Sequence, residues 1–183
     1  MVYISGGREL LDPDQILAKI NIKTGDQIAD LGCGGAGHFI APLARLVGDQ
    51  TKIYAVDIMK TVLRAITSKA RLEGINNIRP IWSDLENVGA TNITPDSLDA
   101  AVLVNVLSLS KKRENILKEA LRLLKKGGKL LIVDWNKVPT TFGPPLEQRV
   151  KDEEVKEIAS RLNYKFDQEF AAGKYHFGLI LIK

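Results

Sequence analysis

The chain has 183 residues, 45% apolar and 26% charged, the length and composition of one globular domain and too short for two. Twenty-six Lys and Arg against 22 Asp and Glu leave a net charge of +4, too small an excess to mark a nucleic-acid binder by itself. Cys33 is the sole cysteine and His38 and His176 the sole histidines, which excludes an intrachain disulfide and leaves a caged zinc ion short of soft ligands.

Met1 to Leu11 holds no basic stretch followed by an apolar one, and no apolar run approaches the roughly 20 residues of a membrane span. The chain is therefore expected to be cytoplasmic and without a membrane span. Asp12-Pro13-Asp14-Gln15 predicts a helix start, with Asp12 as the cap and Pro13 in the first turn, and Ile16, Leu17 and Ile20 form its apolar face.

From residue 25 onward, strand and helix patterns alternate. Gln27 to Leu31 predicts a strand that ends in a glycine cluster, and Gly37 to Val47 a helix with Ile40, Leu43, Ala44 and Val47 at helical spacing. Lys52 to Val56 predicts a strand closed by Asp57, Thr61 to Glu73 a helix, and Ile78 to Trp82 a strand followed by Asp84. Leu98 to Val104 is apolar enough to be buried on both faces. Glu114 to Lys125 predicts a helix capped by Gly127 and Gly128, and Leu130 to Val133 the next strand. After Asp134 the pattern changes to a proline-rich loop, a helix over Asp152 to Leu162, and strands over Tyr164 to Phe170 and His176 to Ile182. Such alternation predicts an α/β sandwich of three layers, with a mostly parallel sheet that ends in an antiparallel hairpin.

The stretch Asp30-Leu31-Gly32-Cys33-Gly34-Gly35-Ala36-Gly37 places an acid at a strand end and glycines where the chain must turn into a helix. Glycines let a ligand approach the main chain, and unpaired N–H groups at a helix start suit anionic or polar atoms. Gly32, Gly34 and Gly37 also fit the G-x-G-x-x-G spacing of dinucleotide folds, with Asp57 25 residues beyond Gly32. Asp30 separates the two readings, because D-x-G-x-G resembles motif I of class I S-adenosylmethionine-dependent methyltransferases, whereas dehydrogenases usually keep that position apolar. The resemblance extends through Asp57, Asp84, Asn105 and the closing hairpin. Within the class, Leu31 to Pro42, Tyr54 to Asp57 and Leu124 to Asp134 are most similar to small enzymes related to ubiquinone/menaquinone C-methyltransferases.

The resemblance implies a Rossmann-like fold with seven strands in the order 3-2-1-4-5-7-6 and S-adenosylmethionine as cofactor. It implies cofactor contacts at Asp30, Gly32, Cys33, Gly34, Gly37, Asp57, Ile58, Asp84, Leu85 and Asn105. Asp57 would accept hydrogen bonds from the ribose hydroxyls and Asp84 from the adenine amino group, Ile58 and Leu85 would wall the adenine, and Asp30 would lie near the methionine end. Residues 1–24 would then form a segment and short helix covering the cofactor, or a loose tail, ahead of a methyltransferase domain over 25–183.

On the acceptor side the candidates are His38, Trp135, Tyr175 and His176, each with a packing role as its alternative. The cleft is expected between the N-terminal segment, the loop after Asn105 and the loop from Val138 to Arg149. Leu107-Ser108-Leu109-Ser110 offers no strong base, so no catalytic residue is assigned and alignment is expected to carry the rate. A small-molecule methyl acceptor is the expected partner. RNA or protein methylation and a catalytically silent cofactor-binding protein remain alternatives, the former opposed by Asn105-Val106-Leu107-Ser108, which lacks the N-P-P-Y pattern. An oxidoreductase would need a Tyr-x-x-x-Lys pair that the chain lacks. Oligomeric state is not legible in these patterns.

Overall fold

Every apolar run predicted as a strand enters one sheet in the computed structural model, which describes residues 10–183. The strands are β1 (Ile28–Leu31), β2 (Ile53–Asp57), β3 (Ile78–Trp82), β4 (Leu98–Val104), β5 (Leu124–Trp135), β6 (Lys165–Ala171) and β7 (His176–Ile182), in the order β3-β2-β1-β4-β5-β7-β6. The first five pair in parallel, and β7 runs antiparallel to both β5 and β6. The order and the reversed last strand are those the resemblance implies. Pro80, which has no N–H to donate, sits on the edge strand β3, where one side of the backbone needs no partner.

Side chains alternate across the central strands and build a core on each face. Ile28, Val102, Leu131 and Ile180 face one layer, made by α1 (Pro13–Leu17), α2 (Ile40–Val47) and α3 (Lys60–Leu72). Ala29, Leu103, Ile132 and Leu179 face the other, made by α4 (Arg113–Leu123) and α5 (Asp152–Arg161). Asp12 caps α1 as expected, accepting from the N–H groups of Asp14 and Gln15. Of the segment 1–24 expected to cover the cofactor or form a loose tail, residues 1–9 lie outside the described residues.

Two helix boundaries differ from the sequence reading by more than one residue. The helix predicted from Gly37 begins only at Ile40, because Gly37 takes a left-handed φ of 63° that helical residues do not adopt. The helix predicted to run to Lys125 stops at Leu123, since Leu124 is fully buried and already pairs with Leu98. The glycines there are not a helix cap. They lie in a bulge where the register jumps from Leu98↔Leu124 to Ala100↔Lys129, and the Gly127 N–H donates to the Lys183 carbonyl at 2.8 Å.

Residues 83–97, which connect β3 to β4, are turns rather than a helix, and a buried ion pair shapes them. Glu119, wholly inaccessible, accepts from the N–H groups of Gly89 and Thr91, while Arg122 donates to both Glu119 oxygens and to the Thr91 carbonyl. Burial alone would raise the Glu119 pKa, but Arg122 and these N–H groups hold it down at about 2.

A Cβ on Gly128 would lie 2.9 Å from the Lys125 carbonyl oxygen and 3.0 Å from that of Leu98, both backbone atoms that cannot step aside. Gly128→Ala is expected to destabilise the protein by about 1–3 kcal/mol. A Cβ on Gly127 would meet nothing within 4 Å, so Gly127→Ala should cost only the left-handed strain, about 1 kcal/mol. Urea denaturation of the two variants checks the difference.

Candidate active site

At the carboxyl end of β1 the chain folds back over β2, with the N–H groups of Gly32 and Cys33 both donating to the Val56 carbonyl at 2.8 and 3.0 Å. Gly32 has φ 84°, and a Cβ there would lie 2.5 Å from a methyl of Val106, so a side chain is excluded twice over. Gly34 has φ 62° and nothing within 4 Å of a built Cβ. Its backbone therefore faces open space. Gly37 serves packing as well, since a Cβ there would strike Ile66 at 2.8 Å. Asp57 ties this loop down: one carboxylate oxygen accepts from Gly34 N–H at 3.1 Å and the other from Met59 N–H at 2.9 Å.

The open space is a cavity of about 630 Å³ at the carboxyl ends of β1 to β5, where open α/β sheets bind ligands. All ten residues expected to contact a cofactor line it, from Asp30 and the glycine loop to Asp57, Ile58, Asp84, Leu85 and Asn105. Of the four acceptor-side candidates, His38, Trp135 and His176 line it. Tyr175 does not: its ring packs edge-on against Phe142 at 5.1 Å. The loop from Val138 to Arg149 also stays out of the cavity wall. Arg149, 3% exposed, gathers it by donating to the carbonyls of Asn136, Val138, Phe142 and Pro144 and to the Thr140 hydroxyl.

Leu10 and Leu11 of the N-terminal segment and Val106 and Leu109 of the loop after Asn105 line the cavity as expected, whereas Phe39, Met59, Val62, Ser83, Glu86 and Ile116, which also line it, were not singled out from sequence. Asp134, also not singled out, lies behind the cavity and not on its wall: it is fully buried at the end of β5 and accepts from the N–H and hydroxyl of Ser108 and from Trp135 N–H. An acid that closes the apolar run Leu130 to Val133 was the available signal.

Charge is unevenly met around the cavity. Asp30 is 2% exposed, and its Oδ2 has no partner; burial first, and the nearby Asp57 second, push its pKa up to about 7. Asn105 holds a left-handed φ of 57° with its N–H given to the Val133 carbonyl, and its Oδ1 is likewise buried and unpartnered. Asp84 accepts from Glu86 N–H and from the Asn87 side chain. Burial, Asp30 and Asp57 raise the Cys33 thiol pKa, which disfavours the reactive thiolate and accords with a packed wall residue. Among the described residues no three His, Cys, Asp or Glu side chains converge to hold a metal ion, and no helix is long and apolar enough to cross a membrane.

Comparison with known proteins agrees with this geometry. A family model described as a methyltransferase domain matches residues 22–173. The ubiquinone/menaquinone biosynthesis C-methyltransferase of Yersinia enterocolitica is 30% identical over 117 residues, which are 63% of this chain and 45% of that protein, so the chain spans less than half of that curated relative. Among solved structures, an S-adenosylmethionine-dependent methyltransferase from Aquifex aeolicus is 26% identical with a TM-score of 0.86, over 96% of this chain and 91% of the other. An arsenic(III) S-adenosylmethionine methyltransferase from Chlamydomonas reinhardtii, 21% identical with a TM-score of 0.71 over 87% of this chain and 64% of the other, shares the fold. With the family model matched over most of its length, the chain belongs to the class I methyltransferase-domain family, whose methyl donor is S-adenosylmethionine.

Proposed function

We propose that this chain transfers a methyl group from S-adenosylmethionine to a small molecule bound in the same cavity. The observation that carries the reading is the charge of the cavity wall: Asp30, Asp57 and Asp84 line it beside the open Gly34 backbone, with no Lys or Arg among the described lining residues. The ligand suited to this wall brings hydrogen-bond donors and positive charge. The ammonium of S-adenosylmethionine has both, whereas a dinucleotide pyrophosphate would face the acids with charge of the same sign.

The other residues fit the rest of that molecule. Asp57 uses one lone pair on each oxygen for the Gly34 and Met59 N–H groups and keeps others for the ribose hydroxyls. Ile58 and Leu85 suit the faces of adenine, and Asp84 its amino group. Gly32, Cys33, Gly34 and Gly37 bring the backbone close. Leu10 and Leu11 on the cavity wall support assigning residues 1–24 a covering role over the domain at 25–183.

S-adenosylmethionine supplies a methyl carbon already activated by its sulfonium. The protein's task is then to hold donor and acceptor in line, which is worth about 7–11 kcal/mol when the geometry is well kept. A cavity of about 630 Å³ is of the size that encloses small molecules, and this favours them over a polymer as acceptor. The name of the Yersinia relative points the same way.

Three outcomes follow for solution measurements. Calorimetry should show one-to-one binding of S-adenosylhomocysteine and none of NAD or NADP; tight NAD binding without S-adenosylhomocysteine heat would sink the reading. Asp57→Ala should weaken S-adenosylhomocysteine about 10- to 150-fold, the loss of charged hydrogen bonds worth about 1.5–3 kcal/mol, with the fold retained by circular dichroism.

The third outcome is a pH dependence set by Asp30. Its folded pKa, about 7, lies above the unfolded value of 3.8, so its contribution to stability is full below about pH 4 and is lost as pH rises through 7. Asp30→Asn should therefore raise the stability of the ligand-free protein at pH 8 by about 1–3 kcal/mol and change it little at pH 4. Ligand binding should run the other way. An ammonium needs the ionised carboxylate, so S-adenosylhomocysteine affinity should rise between pH 5.5 and 8 in the native protein and stay flat in the variant; matching profiles would remove Asp30 from the methionine end.

A further inference from the structure

The net charge of the chain is concentrated in one segment. Residues 60–82 hold five cations, Lys60, Arg64, Lys69, Arg71 and Arg79, against the single acid Glu73, a balance of +4 that equals that of the whole chain. Glu73 is engaged by Arg45 at 2.7 Å and by Lys69 at 4.0 Å, and Lys69 also donates to the Ala36 carbonyl, so both face α2 and the glycine loop. Asp57 and Asp84, the acids that flank the segment, are turned to Gly34 and Met59 and to Glu86 and Asn87. Among the described residues no acid pairs with Lys60, Arg64 or Arg71. At 3.6 residues per turn these three fall within about 40° of one another on the flank of α3 away from Lys69, clear of the buried Leu63, Ile66 and Ala70.

The row starts at the cavity mouth and follows the edge of the sheet. Lys60 comes directly after Ile58 and Met59, which line the cavity and are each 56% exposed, and its ammonium lies 5.3 Å from the ring of Trp82, the last residue of the edge strand β3. An added strand does not fit here. Asn77 and Ser83 bond inward to β2, so Pro80 turns outward a position that has no N–H. A stacked base would compete with Lys60 for the half-exposed Trp82 ring, and the indole N–H that a bilayer interface would hydrate already donates to the Ile58 carbonyl at 2.8 Å. Cations at four- and seven-residue steps, about 6 and 10.5 Å apart along the axis, are matched by carboxylates at the same steps on a second helix laid alongside. Arg and Trp are also the side chains that most often anchor protein interfaces.

We propose that the flank of α3 bearing Lys60, Arg64 and Arg71, with Trp82 at its end, docks an acidic helix of a partner protein, which then stands at the mouth of the cavity. The row shares no residue with the wall given to the methyl donor, so it stands or falls apart from that reading. Arg79 lies outside the surface: it alternates with Ile78, which packs with the layer of α1 to α3, and so points to the other face of the sheet.

The test uses the full chain at about 50 mM salt, where surface charge is weakly screened. Two synthetic helical peptides of one composition and without Trp are titrated, one with its Glu residues at four- and seven-residue steps on a single face, the other with them distributed round the helix. An oligouridylate of about 20 nucleotides and phosphatidylcholine vesicles containing a quarter phosphatidylserine are titrated in parallel. The one-faced peptide should bind about fivefold or more tighter than its counterpart and shift the amide resonances of α3 and the indole N–H of Trp82. Arg64→Glu should weaken it about fivefold, and Arg79→Glu, the same change of charge on the other face, less than about twofold. Equal binding of the two peptides, equal losses in the two variants, shifts that miss α3, or no peptide binding up to about 1 mM would each overturn the proposal. So would oligouridylate or vesicles that bind more tightly than the one-faced peptide and shift the same resonances. Circular dichroism checks that the variants fold, and Arg71→Glu replaces Arg64→Glu should the latter fail to.

Discussion

The Asp57 carboxylate ties together the two loops that leave the paired strands β1 and β2. By accepting from Gly34 and Met59 it fixes the glycine loop after β1 to the turn after β2, and the Val56 carbonyl, one residue earlier, takes the N–H groups of Gly32 and Cys33. Both attachments need the chain to bend through left-handed angles at Gly32 and Gly34. Val106, from the loop after β4, occupies the place where a Gly32 side chain would be. One wall of the cavity thus depends on a single acid and on the absence of two side chains.

The opposite wall is held by polar groups buried behind it. Asp134 binds Ser108 by both its N–H and its hydroxyl, which ties the turn after β4 to the end of β5. Desolvation raises the Asp134 pKa, and these hydrogen bonds oppose it. Arg149 does the same for the loop beyond β5 without any carboxylate partner, and so keeps that loop packed on the outer side of Trp135. Fully satisfied buried networks of this kind make a local structure rigid, and rigidity is what an alignment mechanism requires.

Between these walls the polar groups are deliberately unlike each other in their state of satisfaction. Asp57 and Asp84 are engaged by the chain itself, whereas Asp30, Asn105 and His176 each keep a buried atom without a partner. The engaged acids shape the site. Asp57 also raises the Asp30 pKa, so a cationic ligand relieves a repulsion that folding leaves in place.

The strands, the two-faced sheet and the string of strand-end acids were legible in the sequence, because each rests on local periodicity, on glycine geometry or on a motif confined to a few neighbouring residues, whereas the strand order came only from the resemblance to a known family. Periodicity could not locate the end of α4, since Leu124 leaves the helix to pair with Leu98, a partner 26 residues away. Nor could it show that Arg149 draws the loop at 138–149 out of the cavity, or that Tyr175 and His176, adjacent in the chain, face different surroundings. Asp30 could be marked as a ligand contact from its place before the glycines, but its raised pKa comes from burial and from Asp57, 27 positions on. Sequence determines which side chains stand at the strand ends; tertiary packing alone decides which of them are paired, because pairing depends on neighbours that only the closed sheet brings together.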